Sequence, residues 1–249
     1  MSSPTYNRMG LNYTDFRQPE PRIEAAIWAA LGDAQSVVNV GAGAGSYEPA
    51  DREVIAVEPS PVMIAQRPPQ AAPALEGIAE ALPLDDKSVD AAMGVLTIHH
   101  WPDLEAGLAE MRRVARRRIV LLTLDAEAAS EAWLIDDYFP EAGSMDREVM
   151  PSPARLRAGL PSAELDPVPV PRGCLDGFTI ALWDRPEWLL DSEVRRASSI
   201  WHRMPPGAAE RGLERLQADL ESGRWDEKYG HLRTQAELDI GLRLVRAQL

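Results

Sequence analysis

Residues 37–46, VVNVGAGAGS, followed at 54–60 by VIAVEPS, constrain the fold of this chain more than any other feature. Val37, Val38 and Val40 are β-branched and suit a buried strand. Gly41, Gly43 and Gly45 then allow a tight turn and a close approach of bare backbone to a ligand where any Cβ would collide. Ser46 is expected to open a helix. Glu58 stands thirteen positions after Gly45, at the tip of a second apolar stretch. A carboxylate placed there accepts both hydroxyls of a ribose, so the pattern is that of an α/β sheet holding an adenosine-containing cofactor.

The flanking pattern supports such a sheet. Pro21 suits a first helical position, and Ile23, Ala26, Ile27, Ala30 and Leu31 recur at helical spacing until Gly32 and Asp33. Strands are expected at 37–40, 54–57, 74–78, 90–96 and 119–124. A short helix is expected from Pro59 to Ala65, stopped by Pro68 and Pro69. Another begins near Asp103, with Leu104, Leu108, Met111 and Val114 inward. Beyond residue 125 the pattern loosens. Many of the 21 prolines fall between Pro140 and Pro206, a sixth strand is expected near 168–170, helices near 192–204 and 208–221, and a final strand at 239–249. The chain divides into an arm (1–20), a binding core (21–125), a cap with insertions (126–238) and that last strand. Such a doubly wound α/β fold carries ligands at the carboxyl ends of its strands, under the cap.

Charge removes several functions. A net charge of -13 opposes a phosphate backbone, so no nucleic-acid partner is expected. The basic run Arg112, Arg113, Arg116, Arg117 and Arg118 reads as the end of a helix, where cations complement the macrodipole. No stretch approaches the roughly 20 apolar residues of a membrane span and no signal peptide is visible, which points to the cytoplasm and to no membrane partner. Cys174 stands alone, so it can form no internal disulfide or thiolate zinc site; it reads as a packing residue, and no metal is expected.

A nicotinamide dehydrogenase would use the same strand-end acid, but its fingerprint has a third glycine where this chain has Ser46. Over residues 20–125 the chain instead resembles the class I S-adenosylmethionine-dependent methyltransferases of the small-molecule type. The resemblance is carried by VVNVGAGAGS, VIAVEPS, GIAEALPLDDKSVDAAMGVLTIHHW and DLEAGLAEMRRVARR. It implies a Rossmann-like, mostly parallel seven-stranded sheet whose last strand is antiparallel, S-adenosyl-L-methionine as cofactor and S-adenosyl-L-homocysteine as product. It also implies a loop of Gly41, Ala42, Gly43 and Gly45 around the methionine part, Glu58 on the ribose, and Pro59 and Met63 beside the adenine. Ala79 and Glu80 match the turn at the adenine edge, although Ile78 stands where the family often has Asp. Val95, Leu96 and Thr97 match the strand end near the sulfonium. Arg116, Arg117 and Arg118 replace a common Pro-Gly-Gly turn. Tyr6, Tyr13 and Arg17 resemble an arm that folds over the cofactor, with Tyr13 and Arg17 closing the pocket.

Methyl transfer from a sulfonium is an in-line displacement, so alignment matters most and a base is needed only where the acceptor must lose a proton. His99 and His100 are the candidates, the alternative being a strand-end turn in which they only pack. Trp101 is a lid or a core residue. Trp133, Tyr138 and Phe139 share a helix face and are expected to line an apolar acceptor pocket, the alternative being the core of the cap, with Asp136 and Asp137 as exposed acids. Asp176, Phe178, Trp183 and Trp188 lie where the last connection can reach that pocket. The reading is a transferase acting on oxygen or nitrogen of a small molecule, as monomer or homodimer. Another use of the same cofactor, a cofactor-holding regulator and a dehydrogenase stay open.

Overall fold

The computed structural model describes residues 16–129 and 132–249; Tyr6 and Tyr13 lie outside them. The strands are β1 (Ser36–Val40), β2 (Glu53–Glu58), β3 (Ala74–Glu76), β4 (Val89–Val95), β5 (Ala115–Leu124), β6 (Glu164–Pro167), β7 (Val170–Pro171), β8 (Glu237–Leu238) and β9 (Leu242–Gln248). Seven of them form one sheet in the order β3-β2-β1-β4-β5-β9-β6, and β7 pairs separately with β8. The first five are parallel, whereas β9 runs against both of its neighbours, β5 and β6. This is the Rossmann-like sheet expected from the sequence. β1 and β4 are buried along nearly their whole length because helices cover both faces, which is why their sequences lack polar alternation.

One face is covered by α1 (Pro21–Leu31), which buries Ile23, Ile27 and Leu31 and ends at Gly32, where φ is 57°. The short helix α2 (Pro61–Ala65) follows β2 and is capped by the Ser60 hydroxyl, two residues later than the sequence suggested. The other face is covered by α3 (Leu104–Val114), capped by Asp103 and inserting Leu104, Leu108, Met111 and Val114. At Gly107 a Cβ would lie 2.4 Å from the Trp101 ring, so Trp101 packs on this helix rather than over a ligand. The cap descends onto the first face, joining Trp133, Tyr138, Phe139 and Trp225 to the core of α1.

Four local expectations are corrected. No helix follows the glycine loop: Gly41, Gly43, Gly45 and Tyr47 all take positive φ, which a right-handed helix excludes. The sixth member of the sheet is Glu164–Pro167, not 168–170. There Leu165 sits opposite Val245 while Arg246 pairs with Glu164 and Asp166; Val170 has already left for β7. Arg116, Arg117 and Arg118 open β5 instead of closing α3, because the chain turns extended at Ala115. They pair with Asp90 and Asp33 at the end of the parallel strands opposite the site. The helix expected at 192–204 is two pieces, Ser192–Arg196 and Ile200–Arg203. Among the described residues no helix is long and apolar enough to cross a membrane.

Candidate active site

β1, β2 and β4 end together. Val57 O accepts from both Gly41 N and Ala42 N, at 2.8 and 3.1 Å, which turns the chain sharply off β1 toward the tip of β2. The result is a cleft of about 590 Å3 lined by Gly41, Ala42, Gly43, Glu58, Met63, Val95, Leu96 and Thr97, together with Arg17, Asn39, Tyr47 and Asp176.

The glycines have separate reasons. At Gly41, φ is +69° and a Cβ would sit 2.0 Å from Thr97 Oγ1, so this glycine exists for the contact between the ends of β1 and β4. At Gly43 a Cβ would meet only Met63 Cε, at 3.5 Å, and its absence opens the cleft. Gly41→Ala is therefore expected to destabilise the protein by roughly 2–4 kcal/mol, from left-handed strain plus overpacking. Urea denaturation should show the double variant with Thr97→Ala recovering part of the loss; no recovery would mean that strain alone sets the cost.

Glu58 is 6% exposed, and its carboxylate accepts from Gly43 N at 2.8 Å and Ser60 N at 2.9 Å. Burial pushes its pKa up against those two bonds and the Arg67 charge. Each oxygen keeps a further lone pair toward the cleft. The loop is braced from behind by Arg67, which donates to Gly43 O at 3.1 Å, to Ala72 O at 2.9 Å and to both Glu48 oxygens at 2.8 and 2.7 Å. Asn39 Nδ2 also donates to Glu48, at 3.1 Å, leaving Asn39 Oδ1 buried without a partner among the described residues. Sequence reading missed this brace, because an arginine before two prolines and a glutamate before another carry no motif.

On the opposite wall, Arg17 donates to Asp176 Oδ1 at 2.5 Å, while Asp176 Oδ2 accepts from the Tyr47 hydroxyl at 2.9 Å. Burial and the Asp176 charge push the Tyr47 phenol well up, so it stays a donor. Glu20 N donates to Tyr47 and Leu175 N to Glu20, clasping residues 17–20 to the segment around Asp176. Cys174, beneath that segment, has its thiol pushed up to about 12 by burial and packs as an unreactive side chain. Gly45, Pro59, Ala79 and Glu80 are not among the residues lining the cleft. Gly45 faces Ala71 and Arg67, and the Glu80 carboxylate accepts from Asp103 N at 3.1 Å, fastening the turn to α3. Tyr13 lies outside the described residues.

A second cavity of about 630 Å3 adjoins the first, sharing Leu96 and Arg17 with it. Leu96 holds φ +50°, a conformation disfavoured for its side-chain type and typical of positions that a site over-determines. The cavity is walled by Leu124, Met150, Phe178, Ile180 and Ile200, with His99, Asp146, Ser198 and Arg203 as polar members. His99 Nδ1 is buried with no partner among the described residues, and burial together with His100 drives the imidazole pKa well down. The His100 ring lies against it, tilted by 49° with centroids 3.9 Å apart, but lines neither cavity, so the structure brings one histidine of the pair to the site.

Trp133, Tyr138 and Phe139 do not line this cavity. They are at most 4% exposed and form the core of the cap. Trp133 Nε1 donates to Trp183 O, the Tyr138 hydroxyl donates to Asp219, and Phe139 lies against Gly212, where a Cβ would be 2.3 Å away. Their shared helix face was legible, but it turns toward the helix Ala208–Ser222. Asp137 holds Lys228 and Tyr229 on that side. Phe178, which the sequence placed within reach, does line the cavity.

A family profile described as methyltransferase domain matches residues 38–122. An uncharacterized methyltransferase of Mycobacterium tuberculosis is 39% identical over 100 residues, 37% of this chain and 40% of that protein, so the match spans less than half of that relative. Among solved structures, a candidate methyltransferase from an antibiotic biosynthesis pathway of Anabaena variabilis is 37% identical with a TM-score of 0.82, covering 95% of this chain and 100% of that one. An S-adenosylmethionine-dependent methyltransferase of Thermotoga maritima, 17% identical with a TM-score of 0.57 over 98% and 97% of the two chains, shares the fold.

Proposed function

The chain belongs to the class I S-adenosylmethionine-dependent methyltransferase family, and on that premise we propose that it transfers a methyl group from S-adenosylmethionine to an oxygen or nitrogen of a small organic molecule. The observation that carries this reading is the meeting of two cavities at Leu96 and Arg17, one suited to the cofactor and the other to an apolar acceptor.

The residues of the cleft fit the cofactor. Glu58 would hold the ribose through its remaining lone pairs, the backbone of residues 41–43 would border the methionine part, and Met63 would cover the adenine. The unpartnered Asn39 Oδ1 is a buried acceptor for an ammonium donor at the same end. When bound, S-adenosylmethionine supplies an electrophilic methyl carbon whose bond to sulfur breaks with its electron pair left on sulfur. The protein's task is alignment and water exclusion: the apolar wall of the second cavity orients the acceptor toward Leu96. His99, kept neutral by burial, would offer a ring nitrogen as hydrogen-bond acceptor to the acceptor atom, and would take its proton once the sulfonium's positive charge has left the site with methyl transfer.

Calorimetric titration of the full chain is expected to give saturable binding of S-adenosylhomocysteine and none of NAD. Binding of NAD alone would sink the assignment of the cleft.

A further inference from the structure

Two charges in the acceptor cavity have no partner. Arg17 is committed to Asp176, and His99 is neutral. Asp146 and Arg203 also line the cavity, one from the helix Pro140–Val149 and the other from Ile200–Arg203. Neither side chain makes a hydrogen bond or ion pair among the described residues, with the other or with anything else. They do sense each other: burial pushes the Asp146 carboxyl up to about 6, and the Arg203 charge acts against that rise. Half-buried charges without partners are costly. Both line one cavity without forming an ion pair, and its wall also includes Phe178, Ile180 and Ile200. A separated carboxylate and guanidinium around an apolar space are complementary to a molecule with the same arrangement in reverse.

We infer that the acceptor is an amino acid-like zwitterion on an apolar frame, its ammonium facing Asp146 and its carboxylate facing Arg203. An apolar body fills the space between. A molecule with a single charge leaves one wall charge desolvated and unpaired, and a neutral molecule leaves both. The inference deepens the methyltransferase reading and rests on it for the role of the cavity, while the charge pattern itself is independent of the cofactor.

The test is a matched series on one aromatic frame: tyrosine, tyramine, 3-(4-hydroxyphenyl)propionate and 4-ethylphenol. Each is titrated calorimetrically into the full chain with and without saturating S-adenosylhomocysteine. Tyrosine is expected to bind roughly tenfold or more tighter than each of the other three, as two charged hydrogen-bond partners are satisfied rather than one or none. Asp146→Asn should lower tyrosine to the level of 3-(4-hydroxyphenyl)propionate, and Arg203→Gln should lower it to the level of tyramine. Both variants should bind S-adenosylhomocysteine as the parent does. Equal binding of 4-ethylphenol or of either singly charged probe, binding of no probe at millimolar concentration, or a ranking unmoved by both substitutions would overturn the inference. Failure of S-adenosylhomocysteine to bind while the ranking holds would instead count against the cofactor assignment alone.

Discussion

Arg67→Met is expected to lower stability by about 3–5 kcal/mol, because it leaves the Glu48 carboxylate charged and buried with its main partner gone. The Arg67 and Glu48 side chains are 5% and 8% exposed, so water cannot take over the missing bonds without opening the loop. For a chain of this size the corresponding fall in Tm is roughly 6–20 °C. The cost comes chiefly from the orphaned carboxylate, so Arg67→Met combined with Glu48→Met should recover at least half of the loss. The carbonyls of Gly43 and Ala72 also lose their donor in both variants, which prevents full recovery. S-adenosylhomocysteine affinity should fall in both as well, since Gly43 belongs to the cleft. Thermal denaturation and calorimetry of the two variants test this. A single variant within about 1 kcal/mol of the parent would show that the pair does not brace the loop.

Glu58→Ala is expected to weaken S-adenosylhomocysteine binding by about 1.5–3 kcal/mol, roughly a 10- to 150-fold rise in Kd. Glutamine should not rescue it. Both carboxylate oxygens accept a main-chain N–H, from Gly43 and from Ser60, and an amide can offer an oxygen to one of them only. Its NH2 group would face the other donor, so the loop would shift with the nucleoside contact. Unaltered affinity in Glu58→Gln would remove the bidentate role, and unaltered affinity in both variants would remove Glu58 from the cofactor site.

The two halves of the site differed in how far they could be read from residues alone. The glycine loop and Glu58 were legible because each sits at the end of a strand marked by its own apolar run, and parallel strands bring such ends together, whereas Met63, on α2, and residues 95–97 were placed by the family resemblance. The Arg67 brace, the Arg17 to Asp176 clasp and the meeting of Asp146 and Arg203 in one cavity lining were not. Their members are separated by 19, 159 and 57 positions, and no local periodicity relates them. Trp133, Tyr138 and Phe139 mark the boundary. Their spacing established a buried face, yet burial against Gly212 and burial around an acceptor leave the same pattern in a sequence.

Local chemistry in the chain thus determined the order of the strands up to residue 124, the tight glycine turn after β1 and the acid at the tip of β2. These follow from backbone sterics and hydrophobic period, which act over a few residues. Tertiary structure alone decided that one histidine of the pair reaches the second cavity, and that the cap presents Phe178, Asp146 and Arg203 there rather than its aromatic cluster. Those outcomes depend on which surfaces meet when the cap closes onto the sheet, and close packing selects among partners far apart in the chain.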